Sequence, residues 1–142
     1  PPMADAATIS RDDIFDRVKE VLEEALGAEE DEITMDASLT SDLEAESIDF
    51  LDIQFRLEKA FSTEDRPFKI QQGELFPENL MENPAWINDG KFTDEGMTML
   101  KERMPHVDFS QFEQDRDVNK VAELLTVRSM VEFIERKLNA PD

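Results

Sequence analysis

In the run Asp42-Leu43-Glu44-Ala45-Glu46-Ser47-Ile48-Asp49-Phe50-Leu51-Asp52, a single hydroxyl, Ser47, sits between carboxylates at what reads as the start of a helix. A serine in the first turn of a helix is exposed. The free N–H groups and dipole of a helix N-terminus favour a negatively charged group. The same hydroxyl could act only as a helix cap, for which serine is a preferred residue. The residues that follow bear on the choice. Phe50, Ile53 or Gln54, Leu57 and Phe61 recur at helical spacing and form one core-facing stripe. Ile48, Leu51 and Phe55 form a second stripe, flanked by Asp49, Asp52 and Glu58. A helix with one buried face has no use for an apolar strip bordered by acids, so the strip reads as a docking surface. The alternative is that another segment of the chain covers it.

The elements that must position Ser47 are helical. Ser10 with Asp13 reads as a cap and early-turn carboxylate. Ile14, Val18, Val21, Leu22, Ala25 and Leu26 recur at helical spacing after it, and Gly27 ends that first helix. Residues 29–41 form a long loop, anchored by Ile33 and Leu39. The spacing predicts a second helix over 47–61 and a short third over 117–125 carrying Val118, Val121, Ala122 and Leu125. Thr126 caps a last helix whose apolar face is Val127, Met130, Val131, Ile134 and Leu138.

The Ser47 segment with its acidic amphipathic helix resembles the prosthetic-group site of acyl carrier proteins, as does the helix order. The resemblance covers residues 10–70 and 117–138. Leu43, Phe50 and Phe61 fall where that family has apolar residues, and Thr126-Val127 resembles the start of its last helix. It implies an all-α, acyl-carrier-protein-like four-helix bundle forming one domain over residues 1–142. It also implies a covalent 4'-phosphopantetheine on Ser47, whose thiol holds an acyl chain as a thioester. Glu46, Ile48, Asp49, Leu51, Asp52, Phe55 and Glu58 would then dock partners. These would be a phosphopantetheinyl transferase and ketosynthase, reductase, dehydratase or acyltransferase enzymes with basic patches. Two departures stand out: Glu44 where the family often has Gly, and Glu46 where it usually has Asp. Both bear on which transferase would accept the chain.

Residues 71–116 are material that an ordinary carrier lacks. They hold Leu75, Phe76, Leu80, Met81, Trp86, Ile87, Phe92, Met97, Leu100, Met104, Val107, Phe109 and Phe112, too apolar a set for a disordered linker. Thr93-Asp94-Glu95 reads as a capped helix start, Pro105 stops that helix, and Gly73 and Asn88-Asp89-Gly90 read as turns. An ordered, partly helical insertion is expected. The run Trp86-Ile87-Asn88-Asp89-Gly90-Lys91-Phe92-Thr93 resembles the extra segment of specialised carriers of very-long-chain fatty acids. The insertion would either pack near the mouth of the bundle and enlarge or cover the acyl site, or form a self-contained lobe that sets partner choice.

Charge narrows the partners. The chain has 35 acidic and 15 basic residues, a net charge of −20. Residues 1–62 hold 18 acids and 5 bases, and residues 63–142 hold 17 and 10. Such a field disfavours nucleic acid and anionic lipid and favours basic partners. With no cysteine there is no disulfide framework and no thiol nucleophile. No apolar run approaches the roughly 18–20 residues of a membrane span, and no signal-peptide pattern is seen. A cytoplasmic monomer without stable membrane insertion is expected. Pro1-Pro2-Met3-Ala4 reads as an expression scar ahead of the native start. The acidic run Glu29-Glu30-Asp31-Glu32 lacks the ligand alternation, central Gly and terminal Glu of an EF-hand loop. His106, the one histidine, follows Pro105 and is expected on the surface. No nucleophile–base pair, glycine-rich phosphate loop or paired-histidine motif is present, so a carrier acted on by enzymes is expected, not an enzyme. Two alternatives stay open: a peptidyl or polyketide-type carrier, and an acidic adaptor that kept the fold and lost the arm.

Overall fold

The computed structural model describes residues 9–80 and 82–140; Pro1-Pro2-Met3-Ala4 and Met81 lie outside them. Helix α1, Arg11–Leu26, begins at Ser10, whose Oγ accepts from the Asp13 N–H at 3.1 Å, and ends at Gly27 in the left-handed region. Helix α2 is Ser47–Phe61. A hairpin of two short strands, β1 (Ile87–Asn88) and β2 (Lys91–Phe92), precedes helix α3, Asp94–Arg103. Helix α4, Val127–Asn139, starts at Thr126, whose hydroxyl accepts from the Ser129 N–H at 3.1 Å. The short element expected over 117–125 is a 3-10 helix, Val118–Leu124, not an α-helix. The loop after α1 contains a 3-10 turn, Glu30–Glu32.

One core joins α1, α2 and α4. Ile14, Val18 and Leu22 meet Ile53, Leu57 and Phe61 and the Met130 and Ile134 face of α4, all buried. Loop residues Ile33 and Leu39 are buried with them. Of the two candidates for the core stripe of α2, Ile53 is fully buried and Gln54 only half-buried. Phe50 is half-buried and stacks on Phe76, with centroids 6.4 Å apart.

The 71–116 segment builds a second core from Leu80, Phe92, Met97, Leu100, Met104, Phe109 and Phe112, with Val121 added from the 3-10 helix. Thr93 caps α3, its Oγ1 accepting from the Gly96 N–H at 3.1 Å. The hairpin turn places Asp89 at φ 56° and Gly90 at φ 78°, the two positive angles that a type I′ turn requires. Its two-residue strands are too short for a periodic pattern, so only the turn was expected from sequence. Phe76 and Val107 touch both cores.

His106 is the clearest departure from expectation. It is 6% exposed, not on the surface. Its Nε2–H donates to the Leu75 carbonyl at 2.9 Å, and its ring meets Phe133 edge-on at 5.0 Å. Partners distant in sequence, Leu75 in the bundle core and Phe133 on α4, bury it.

Candidate functional site

Ser47 owes its position to backbone bonds between distant segments. Residues 35–45 run beside the start of α4: the Val127 N–H donates to the Ala37 carbonyl at 3.0 Å, Arg128 N–H to Met35 at 2.8 Å, and Leu39 N–H to Leu125 at 3.0 Å. The Ala45 N–H then returns to the Leu39 carbonyl at 2.8 Å. Between these anchors Glu44 takes φ 60°, the left-handed region that glycine enters at no steric cost. The position where the family often has Gly is therefore one whose backbone favours Gly.

Ser47 is exposed and occupies the first helical position. It is not the cap. Glu46 holds the capping position, and the Asp49 carboxylate reaches back to accept the Glu46 N–H at 2.8 Å. The capping function thus falls on its acidic neighbours. Among the described residues the Ser47 hydroxyl has no hydrogen-bond partner, and it faces solvent at a helix start whose Asp49 N–H is taken by the Glu46 carbonyl at 2.9 Å. An anionic phosphodiester fits there without displacing a structural contact.

Ile48, Leu51 and Phe55 are 77%, 72% and 57% exposed, the three exposed large hydrophobics among the described residues. The insertion leaves this strip open. The flanking acids are less free than the sequence suggests. Asp49 serves the cap. Asp52 accepts from Arg56 Nε at 3.1 Å, and Arg56 also reaches Glu24 at 3.1 Å. Glu58 accepts the Ile70 N–H at 2.8 Å. The Lys59 ammonium lies 4.8 Å from the Phe55 ring centroid, a cation–π contact. Glu24, Arg56 and Lys59 were not singled out from sequence; the i,i+4 spacing of Asp52 and Arg56 was the available signal.

A groove of about 580 Å³ opens beside Ser47, between one face of α2 and residues 70–78. Leu51, Gln54, Phe55 and Glu58 line it from the helix, and Ile70, Gln72 and Glu78 from the other side. Sequence reading missed this second wall.

Residues 16–67 match the family profile described as the phosphopantetheine attachment site. The chain is 40% identical over 53 residues to the acyl carrier protein of Petrotoga mobilis, a match covering 37% of this chain and 62% of that protein. It is 38% identical over 56 residues to the acyl carrier protein of Rubrobacter xylanophilus, covering 39% of this chain and 69% of the relative. It is 34% identical over 64 residues to that of Coprothermobacter proteolyticus, covering 45% and 78%. No solved structure matches. The chain thus spans about three fifths to four fifths of the length of these relatives. The chain belongs to the acyl carrier protein family, a class of carriers of covalent 4'-phosphopantetheine and not of enzymes. The profile match ends before the 71–116 insertion.

Proposed function

We propose that this chain carries acyl groups on a 4'-phosphopantetheine arm attached to Ser47 and presents them to enzymes of fatty-acid or lipid synthesis. The observation that supports this most is an exposed, unpartnered hydroxyl at the first position of a helix, within the matched attachment-site region. The arm supplies a terminal thiol, which holds the acyl chain as a thioester. Loading would join Ser47 Oγ to the phosphorus of the phosphopantetheine half of coenzyme A. The pyrophosphate bond breaks, adenosine 3',5'-bisphosphate leaves, and the serine proton passes to the transferase.

The protein's own residues orient and present this group. Glu46 and Asp49 fix the helix start, so Ser47 points outward. The strip of Ile48, Leu51 and Phe55, with Asp52 and Glu58 beside it, offers partners apolar area inside an acidic field. A small interface of this kind suits transient contact, since a carrier must leave one partner for the next. The partners this favours are the transferase and ketosynthase, reductase, dehydratase or acyltransferase enzymes with basic patches, met by a monomer in the cytoplasm. No helix among the described residues is long and apolar enough to cross a membrane. The Trp86–Thr93 resemblance supports very long acyl chains as the cargo.

The test is direct. Incubation with coenzyme A and a broad-specificity transferase should add one phosphopantetheine mass to the wild type and none to Ser47→Ala. An unmodified wild type, where an ordinary carrier is loaded in parallel, refutes the carrier reading and leaves the adaptor.

A further inference from the structure

We propose that the cavity between the end of α3 and the last turns of α4 binds a small phosphate monoester, its phosphate held by His106, Arg103 and Arg136 and its organic part by Phe133. The proposal does not depend on Ser47. The cavity measures about 350 Å³, inside the roughly 300–1,000 Å³ of small-molecule sites. Arg103, Pro105 and His106 line it from the insertion, and Phe133, Arg136 and Lys137 from α4. It lies along the C-terminal half of α4. Residues 35–45, which hold Ser47, run beside the other end of that helix.

His106 supplies an unused acceptor. Its Nε2–H is committed to the Leu75 carbonyl, so the neutral ring carries its lone pair on Nδ1. Nδ1 has no partner among the described residues. Among those residues no fully buried side-chain nitrogen or oxygen goes unpaired, so Nδ1 keeps an open edge. The cavity is where this 6% exposed residue meets solvent. Burial lowers the His106 pKa against the Leu75 bond, with Arg136 aiding and Glu132 and Glu74 opposing, which keeps the ring neutral. A neutral ring with an open acceptor suits a ligand that brings a proton.

The rim selects an anion. In a chain of net charge −20, the lining holds Arg103, Arg136 and Lys137 against Glu74 and Glu102. Glu74 is taken by Lys137 at 2.8 Å, and Glu102 is exposed. Arg136 spends Nε on Glu132 at 3.0 Å, and its terminal nitrogens have no partner among the described residues. Arg103 lies over the Trp86 ring, 5.0 Å from its centroid, with no ion pair among the described residues. A carboxylate carries no proton near neutral pH. A phosphate monoester, with a second pKa of about 6, readily does. One proton then lies between a phosphate oxygen and Nδ1, while the other oxygens face guanidiniums, whose forked donors suit phosphate. Phe133, Pro105 and Ala140 offer apolar surface to the organic part. A bound ligand would tie the insertion to α4.

The experiment titrates ¹⁵N-labelled protein with phenyl phosphate, inorganic phosphate and sulfate, following the His106 ring nitrogens and Trp86 fluorescence. Phenyl phosphate should give a saturable shift at Nδ1. Its affinity should rise several-fold from about pH 8 to about pH 6, because the complex holds a proton that the free dianion lacks. Sulfate, a dianion with no such proton, should bind several-fold more weakly. Arg103→Gln/Arg136→Gln, altered at two exposed positions, should keep its urea transition and lose affinity at least tenfold. Ser47→Ala should bind as wild type. No saturable shift, sulfate binding as tightly, or an unchanged double variant overturns the site. Inorganic phosphate binding as tightly as phenyl phosphate overturns the monoester and assigns the site to free phosphate.

Discussion

If the exposed strip docks partners as proposed, truncating Ile48 to alanine should separate docking from folding. Ile48 is 77% exposed in the free protein and does not line the groove beside Ser47. Burying an aliphatic side chain of this size is worth about 1.5–3 kcal/mol. Alanine retains the Cβ, and only the exposed share is gained on docking, which leaves about 1–2 kcal/mol at stake. At about 1.4 kcal/mol per tenfold, Ile48→Ala should raise the Kd for a partner enzyme roughly 5- to 30-fold. The same change removes no buried contact, so the unfolding free energy should stay within about 0.5 kcal/mol of wild type. Leu57, one face away on the same helix, is fully buried. Leu57→Ala should cost about 2–5 kcal/mol of stability. The assay is isothermal titration of the unloaded protein against the transferase, with urea unfolding of each variant. Wild-type affinity in a folded Ile48→Ala protein would refute the docking assignment of the strip.

Other perturbations probe separate parts of the structure. A Cβ on Gly96 would lie 2.3 Å from the Trp86 carbonyl oxygen, so Gly96→Ala should destabilise the second core by about 1–3 kcal/mol or more, visible as an earlier Trp86 fluorescence transition in urea. Glu44→Gly relieves a left-handed non-glycine residue while adding chain entropy to the unfolded state; stability should stay level or rise by up to about 1 kcal/mol in the same titration. Burial, opposed by the bond to Leu75 and by Glu132 and Glu74 and aided by Arg136, lowers the His106 pKa from its ordinary 6.5. The unfolded chain then binds the extra proton first, so this contribution is complete above about 6.5 and is lost as pH falls toward the folded value. Thermal melts from pH 7.5 downward should show that loss in the wild type and not in His106→Gln.

How much was legible in the sequence depended on how local the signal was. The helix starts at Ser10, Thr93 and Thr126 were readable because each cap bonds an N–H only three residues on. The outer face of α2 was readable because Ile48, Leu51 and Phe55 break an otherwise sufficient core stripe. The capping role of Glu46 and Asp49 was hidden by Ser47, itself a good capping residue in the adjacent position. The burial of His106 was not readable, since nothing beside Pro105 announces Leu75 or Phe133 as neighbours. The second wall of the groove was missed for the same reason: the Glu58–Ile70 and Phe50–Phe76 contacts that place it join the helix to residues 12 and 26 positions further on.

The acidic character of the site then takes a different meaning from that of a row of free carboxylates. Asp49 is occupied with the helix start, Glu58 with the groove wall, and Asp52 with Arg56. Arg56 also binds Glu24, so this local group holds two acids and one base and keeps a single net negative charge. A partner's lysine or arginine approaching Asp52 need not strip a bare carboxylate of its water; it shares one already oriented by Arg56. Exposed pairs of this kind contribute little affinity each, about 0–1 kcal/mol, and are screened over about 10 Å at 0.1 M salt. On the proposed docking, the apolar strip would therefore supply most of the contact energy, while the field of the −20 chain would speed encounter and favour basic surfaces. On this division Asp52→Lys should slow association and flatten its salt dependence in stopped-flow mixing, with little change in dissociation. Ile48→Ala should do the reverse.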